Sequence, residues 1–177
     1  QSPKWPSALL PNYGAVTWGN GNTGISGAVN ESNSLIGSKQ DDNVGASPVI
    51  LLSNGNYLVS SPDWDNGSAI DAGAVTWGNG NSGVQGAINL NNSLLGSKSG
   101  DKIGEKGVEV LNNDNYVVSS PHWDNNSASD AGAVTWGNGA TGTFGLVNGT
   151  NSLIGDSAFD QIGSFGVAAL TNGNYVA

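Results

Sequence analysis

GAVTWGNG stands at residues 14–21, returns at 73–80 and returns again at 132–139, letter for letter. The step is 59 residues both times, and three such steps equal the 177-residue length. A fixed period of about this size marks chains built from stacked supersecondary units, none of which buries its apolar face alone. The octet alternates as a strand does, with Val16 and Trp18 on one side and Ala15 and Thr17 on the other. It closes on Asn-Gly, which between strands signals a type I′ turn with φ above zero at both central residues.

Outward from the octet, nearly everything else recurs at the same step. NSLIG occupies 33–37 and 151–155, with NSLLG at 92–96, and an Asp-x-Val/Ile-Gly element begins at Asp42, Asp101 and Asp160. SNGNYLVSSPDW (53–64) and NNDNYVVSSPHW (112–123) are followed by a broken third copy, TNGNYVA (171–177). The opening QSPKW supplies the missing part, so that Ser2-Pro3 aligns with Ser61-Pro62 and Trp5 with Trp64 and Trp123. The register is therefore one array over 1–177, with repeats at 14–72, 73–131 and 132–177 plus 1–13. The two halves of the broken unit either meet within one molecule, closing a ring, or lead into another copy by peptide bond or strand pairing. Either outcome removes an unpaired strand edge that would invite aggregation.

No apolar set persists at i, i+3, i+4, i+7, and short β-rich runs bounded by Gly, Asn, Asp and Pro dominate. One period predicts strands at 48–52, 57–61, 73–77 and 84–89, with a short fifth at 93–95. Asn54-Gly55 and Asn172-Gly173 carry the hairpin signal, and Asn113-Asp114 substitutes for it. The fold class is all-β: three tandem repeats of about four short antiparallel strands, each the size of a propeller blade. A closed β-trefoil-like monomer and an open β-solenoid-like array are the alternatives. The expected core holds Val16, Val75 and Val134; Trp18, Trp77 and Trp136; Leu52, Leu111 and Leu170; and Val49, Val108 and Val167. The octet tryptophans are expected to be the most buried aromatic residues.

Composition narrows the functions. The net charge is −9 with only 11% charged residues, so nothing here neutralises a nucleic-acid backbone or favours an anionic membrane. No apolar run reaches the ~20 residues of a membrane helix. With no cysteine there is no disulfide or thiolate metal site, and with no methionine the chain reads as a processed piece of a longer precursor. His122, the single histidine, shares its repeat position with Asp63 and Lys4, as a solvent-facing residue would. No serine-histidine-acid set or phosphate loop accompanies it.

Taken together, the string NGNYVVSSPxWDN, DAGAVTWGNG and NSLIGS resembles a repeat found in tandem in large bacterial surface proteins of the filamentous-haemagglutinin and adhesin type. The resemblance implies an extracellular structural or adhesive repeat, non-catalytic, whose partner is itself. In the first period KWPSALLPNYG replaces DWDNGSAIDAG and loses the acids held by Asp65 and Asp71.

Two sets of repeated side chains could do more. Trp5, Trp64 and Trp123 each follow a proline-bearing polar loop and would serve as sugar-stacking platforms in a lectin-like module, one per repeat. The competing reading folds each indole over its loop to cover the repeat. Asp42, Asp101 and Asp160 would suit calcium, which takes 6–8 oxygen ligands. Their competing role is an Asx-type turn in which the carboxylate orders the loop before Val/Ile-Gly. Asp65, Asp71, Asp124 and Asp130 share that choice. The five Asn-x-Ser/Thr sequons, at Asn30, Asn66, Asn91, Asn125 and Asn148, are expected by chance in so Asn-rich a chain.

Overall fold

The computed structural model describes residues 1–5 and 12–177. Among them no helix forms, and fourteen short strands run in order. They are β1 (Ala15–Thr17), β2 (Ser34–Ile36), β3 (Ile50–Leu51), β4 (Tyr57–Ser61), β5 (Ala74–Gly78), β6 (Gly86–Ala87) and β7 (Ser93–Leu95). The set continues with β8 (Gly107–Val110), β9 (Tyr116–Ser120), β10 (Ala133–Gly137), β11 (Gly145–Leu146), β12 (Ser152–Ile154), β13 (Ala168–Ala169) and β14 (Tyr175–Val176). Four sheets result, ordered β1-β2-β6, β11-β7-β5-β4-β3, β12-β10-β9-β8 and β13-β14.

Within a sheet the octet strand is central. In the second repeat β5 pairs antiparallel with β4 on one side and with β7 on the other, aligning Ser60, Val75 and Leu94 across the three strands. The third repeat reproduces this with Ser119, Val134 and Leu153. The segment at 93–95 is thus a full sheet member. The run at 84–89 shrinks to two residues and pairs parallel with the preceding repeat: β6 with β2, and β11 with β7. That departs from the expected antiparallel set, because Gly86 and Gly145 take positive φ and turn the chain away from its own sheet.

The hairpin β3-β4 also differs from the expected type. Gly55 has φ 87° but Asn54 is not left-handed, and Gly55 N–H bonds Leu52 O while Leu52 N–H bonds Asn56 O. This is a type I turn closed by a left-handed bulge residue. Gly173 (φ 85°) and Asp114 (φ 66°) fill the same place in the later repeats.

Because both faces of each inner sheet are covered, β4 and β9 are buried along their whole length. One face of the second sheet, with Tyr57, Val59, Ala74 and Leu95, packs on Val16, Leu35 and Val44 of the first repeat. Its other face, with Leu58, Val75 and Leu94, packs on Tyr116, Val118 and Ala133 of the third. Leu111, Val117 and Val134 then meet Ala169 and Tyr175 of the last hairpin. Some polar groups in these layers are matched, Thr76 and Ser93 sharing a hydroxyl hydrogen bond of 2.7 Å as Thr17 does with Ser34. Ser61 Oγ and the indole N–H groups of Trp64 and Trp123 are buried without a partner among the described residues.

The stack is open at the described ends. Leu35 is 0% exposed and Leu94 1%, each beneath the next repeat, whereas the equivalent Leu153 is 58% exposed. The expected core holds for Val16, Val75, Val134, Leu52 and Leu111, while Val49, Val108 and Val167 are half-buried and Leu170 is exposed. Leu170 lies in the last hairpin, which has no following sheet against it.

Candidate functional site

The repeated feature with the most specific geometry is the seam between neighbouring repeats. Trp18 Nε1–H donates to Gly80 O at 3.0 Å, and Trp77 Nε1–H to Gly139 O at 3.0 Å. Each octet tryptophan thus reaches into the next repeat's octet. Asn54 and Asn56 amide groups also donate to Gly139 O, at 3.1 and 3.0 Å. One carbonyl therefore takes three side-chain donors, which fixes the register between repeats. Gly80 and Gly139 are outside the left-handed region, so the octet's terminal Asn-Gly is not the expected type I′ turn. Glycine is required there for close approach: a Cβ on Gly80 would run into Gly55 O, and one on Gly139 into Asp114 O.

Bridging the seam leaves the octet tryptophans less buried than expected. Trp18 and Trp77 are half-buried and Trp136 is 42% exposed. The tyrosines that follow each hairpin turn are the better-buried aromatics. Tyr116 is 1% exposed, lies over Gly137, and burial pushes its hydroxyl up to about 12. Tyr57 lies over Gly78 in the same way and accepts Val84 N–H at 3.3 Å.

The loop tryptophans are corrected in the opposite sense. Trp64 (4% exposed) and Trp123 (5%) insert between sheets, into the cores containing Val59 and Val118 respectively. An indole held there has no free face on which a sugar could stack, so the covering role is the one observed. Trp5 is half-buried, and its carbonyl accepts Gly14 N–H as those of Trp64 and Trp123 accept Gly73 and Gly132 N–H.

Asp42 and Asp101 are fully buried and wrapped in backbone donors. Asp101 Oδ2 accepts Ser97 and Lys98 N–H at 2.8 and 2.9 Å, and its Oδ1 accepts Asp124 N–H at 3.0 Å. Asp42 binds Ser38, Lys39 and Asp65 N–H identically. A relay continues outward, since Asp124 Oδ1 accepts Asp130 N–H and Asp65 Oδ1 accepts Asp71 N–H. Burial pushes both carboxyls above the ordinary range, the three N–H bonds pull them back, and the neighbouring Asp65 or Asp124 charge pushes up again. Three backbone N–H groups on one carboxylate are the arrangement of an Asx-type turn that orders the loop. Asp42 and Asp101 thus hold the turn-ordering geometry weighed against calcium in the sequence. Asp160 is exposed and takes only Asp156 and Ser157 N–H. Among the described residues no three of His, Asp and Glu gather as a metal site would require.

His122 is half-buried and pairs with Glu105 at 2.6 Å. Several sequon asparagines are occupied within the fold: Asn66 and Asn125 amides donate to Gly96 and Gly155 O, and Asn30 and Asn148 to Ala28 and Leu146 O. The residues that sequence reasoning missed are Asn54 and Asn56. Their signal was the Asn-x-Asn spacing around each hairpin turn, repeated at Asn113-Asn115 and Asn172-Asn174.

Where the next repeat is absent, the seam is half made. Asn113, Asn115, Trp136, Leu170, Gly173 and Tyr175 line an open hollow at the carboxy-terminal face. At the other end β1 is paired by β2 along its length but on its second side only through the Ser2–Ala15 bridge.

A family model described as "Repeat of unknown function (DUF5650)" matches residues 1–46, 51–105 and 110–164. No curated protein matches the chain. The chain belongs to that repeat family, and each matched segment ends shortly after its Asp-x-Val/Ile-Gly element.

Proposed function

We propose that this chain is a non-catalytic structural repeat of the cell exterior, an element of a bacterial surface protein or fibre that extends by stacking identical units. The observation that carries the reading is the seam. Each repeat hands its leucine (Leu35, Leu94) and its tryptophan (Trp18, Trp77) to the next by one geometry, and that geometry does not bring the third repeat back to the first. Its repeated polar side chains, the caged aspartates and the turn asparagines, hold backbone, which is the investment of a scaffold. The acidic, cysteine-free, Gly- and Asn-rich composition and the resemblance to surface-protein repeats support an extracellular location. The partner of the array is then itself, through the same seam.

Small-angle scattering tests this on the 177-residue chain and on two copies joined in tandem. Elongation predicts that the maximal dimension roughly doubles while the cross-section stays constant. A particle whose dimension grows only as the cube root of mass refutes it.

A further inference from the structure

We infer that Asn66-Gly67 is a site of spontaneous covalent modification. The Asn66 side chain loses ammonia and the main chain is rebuilt as isoaspartate, in the loop that ties the second repeat to the first. This goes beyond the structural reading above and does not depend on it. Asparagine is a thermolabile residue, and a following glycine leaves the attacking nitrogen unshielded because it carries no Cβ. The Gly67 nitrogen, stripped of its proton by hydroxide, attacks Asn66 Cγ. A C–N bond forms, the Cγ–Nδ2 bond breaks, and Nδ2 leaves as ammonia. Water then opens the cyclic imide at either carbonyl. One opening gives aspartate; the other moves the main chain onto Cγ and lengthens it by a methylene.

The chain holds seven Asn-Gly pairs, and the fold separates this one from the rest. Attack needs a free glycine nitrogen and the face of Cγ turned onto it, so every hydrogen bond on either group must break first. Gly55, Gly80, Gly139 and Gly173 N–H are committed, to Leu52 O, Asn56 Oδ1, Asn115 Oδ1 and Leu170 O. Their asparagines are held as well: Asn54, Asn79, Asn138 and Asn172 each accept a backbone N–H on Oδ1. Asn20 Oδ1 accepts Asn22 and Thr23 N–H, and Asn148 Oδ1 accepts the N–H and hydroxyl of Thr150. Asn66 has a single tie. Its amide donates to Gly96 O at 2.8 Å, while among the described residues nothing bonds its Oδ1 or the Gly67 N–H. Gly67 is also exposed. The third repeat has the same tie, Asn125 donating to Gly155 O at 2.9 Å, but Asn126 follows it and its side chain crowds the nitrogen. The consequence falls on the joint between repeats. Asp65 N–H, one residue earlier, crosses to Asp42 at 2.9 Å, and the turn beyond is closed by Asn66 N–H to Ala69 O and Ala69 N–H to Asn66 O. Conversion sets a carboxylate in place of the amide that Gly96 O accepts from, and the added methylene stretches that turn.

Peptide mapping by mass spectrometry reads the amide-to-carboxyl mass change and the isoaspartyl isomer at each pair, on folded protein held at mildly alkaline pH. The Asn66 peptide should convert at least about fivefold faster than the other six, the rate equivalent of one further hydrogen bond to break. In urea, with those bonds gone, the ranking should vanish. Two exchanges between repeats complete the test, each copying a loop the fold already accepts. Gly67→Asn should silence Asn66. Asn126→Gly, at a φ of 53° that suits glycine, should make Asn125 convert at the pace of Asn66. Converted parent, separated by its added charge, should melt below the unconverted chain. Another Asn-Gly pair converting first in the folded protein, a ranking that survives urea, an unslowed Asn66 in Gly67→Asn or a silent Asn125 in Asn126→Gly each overturns the assignment. A converted chain that melts with the parent overturns the hold of Asn66 on its loop.

Discussion

Leu94→Ala and Leu153→Ala make the same chemical deletion at the same repeat position, once under a following repeat and once without it. Leu94 is closed in by Leu58, Val75, Tyr116 and Trp123, with Gly145 of the next repeat paired beside it. Removing its side chain from so complete a lining costs about 2.7–5 kcal/mol. Leu153 has less than half of its surface covered, so its burial contributes about 1 kcal/mol at most. The difference, about 2–4 kcal/mol, is what one repeat receives from the next at this position. At roughly 2–4 °C per kcal/mol for a chain of this size, Leu94→Ala should melt about 5–20 °C below the parent and Leu153→Ala no more than about 4 °C. Thermal scans followed by both far-UV circular dichroism and tryptophan fluorescence measure this, at a protein concentration low enough to keep the chain monomeric. Two probes are needed because repeat arrays can unfold in parts. Equal shifts in the two variants would refute the reasoning, since the cover over Leu94 would then come from within its own repeat.

Asp114 occupies the left-handed turn position that glycine fills at Gly55 and Gly173, so Asp114→Gly should raise stability by about 1 kcal/mol; an unchanged or lower urea midpoint would count against the turn assignment. Excess EDTA, and millimolar calcium added back, should leave the melting temperature unmoved, because Asp42 and Asp101 are bonded to N–H groups and a ligand of the native state would shift it. Burial raises the carboxyl of Asp101 in the folded chain, so the folded state holds that proton to higher pH than the unfolded one. The stability it contributes is then full below the unfolded value and lost as pH rises through the folded one. Between about pH 6 and pH 4 the parent should therefore gain melting temperature on acidification relative to Asp101→Asn, and a relative loss would reverse the sign.

The period, the all-β class and the strands at 57–61 and 93–95 were legible because alternation, Asn-Gly turns and exact repetition are local signals. The seam was not, and the two kinds of tryptophan show why. An indole in an alternating strand looks like core and one after a proline looks like a loop, yet Trp77 sits at the edge of the core, where it reaches Gly139 O, while Trp123 fills the space between sheets. Which of two neighbours receives a side chain is a property of stacking, and stacking is invisible within one period. Gly80 was misread for the same reason: its need is for room beside another strand's carbonyl, not for a left-handed φ. The aspartates were half legible. The Asp-x-Val/Ile-Gly element predicted a turn role, but the donor from Asp65 or Asp124 comes from 23 residues away, on the far side of the hairpin.

The seam also has a direction. Tryptophan and asparagine donors always belong to the earlier repeat and the glycine carbonyl to the later one, and the parallel pairs β2-β6 and β7-β11 run the same way. The carboxy-terminal face therefore presents N–H donors and an uncovered leucine, and the amino-terminal face presents an acceptor and a short strand. Two like faces offer no such match: donors would meet donors, and Leu153 would meet no strand. An isologous dimer is thus disfavoured by chemistry, and contact between unlike faces is heterologous. A heterologous contact closes only if its rotation returns to the start, and the two internal steps do not return after three repeats. Repeated without closing, such a step leaves two unlike ends.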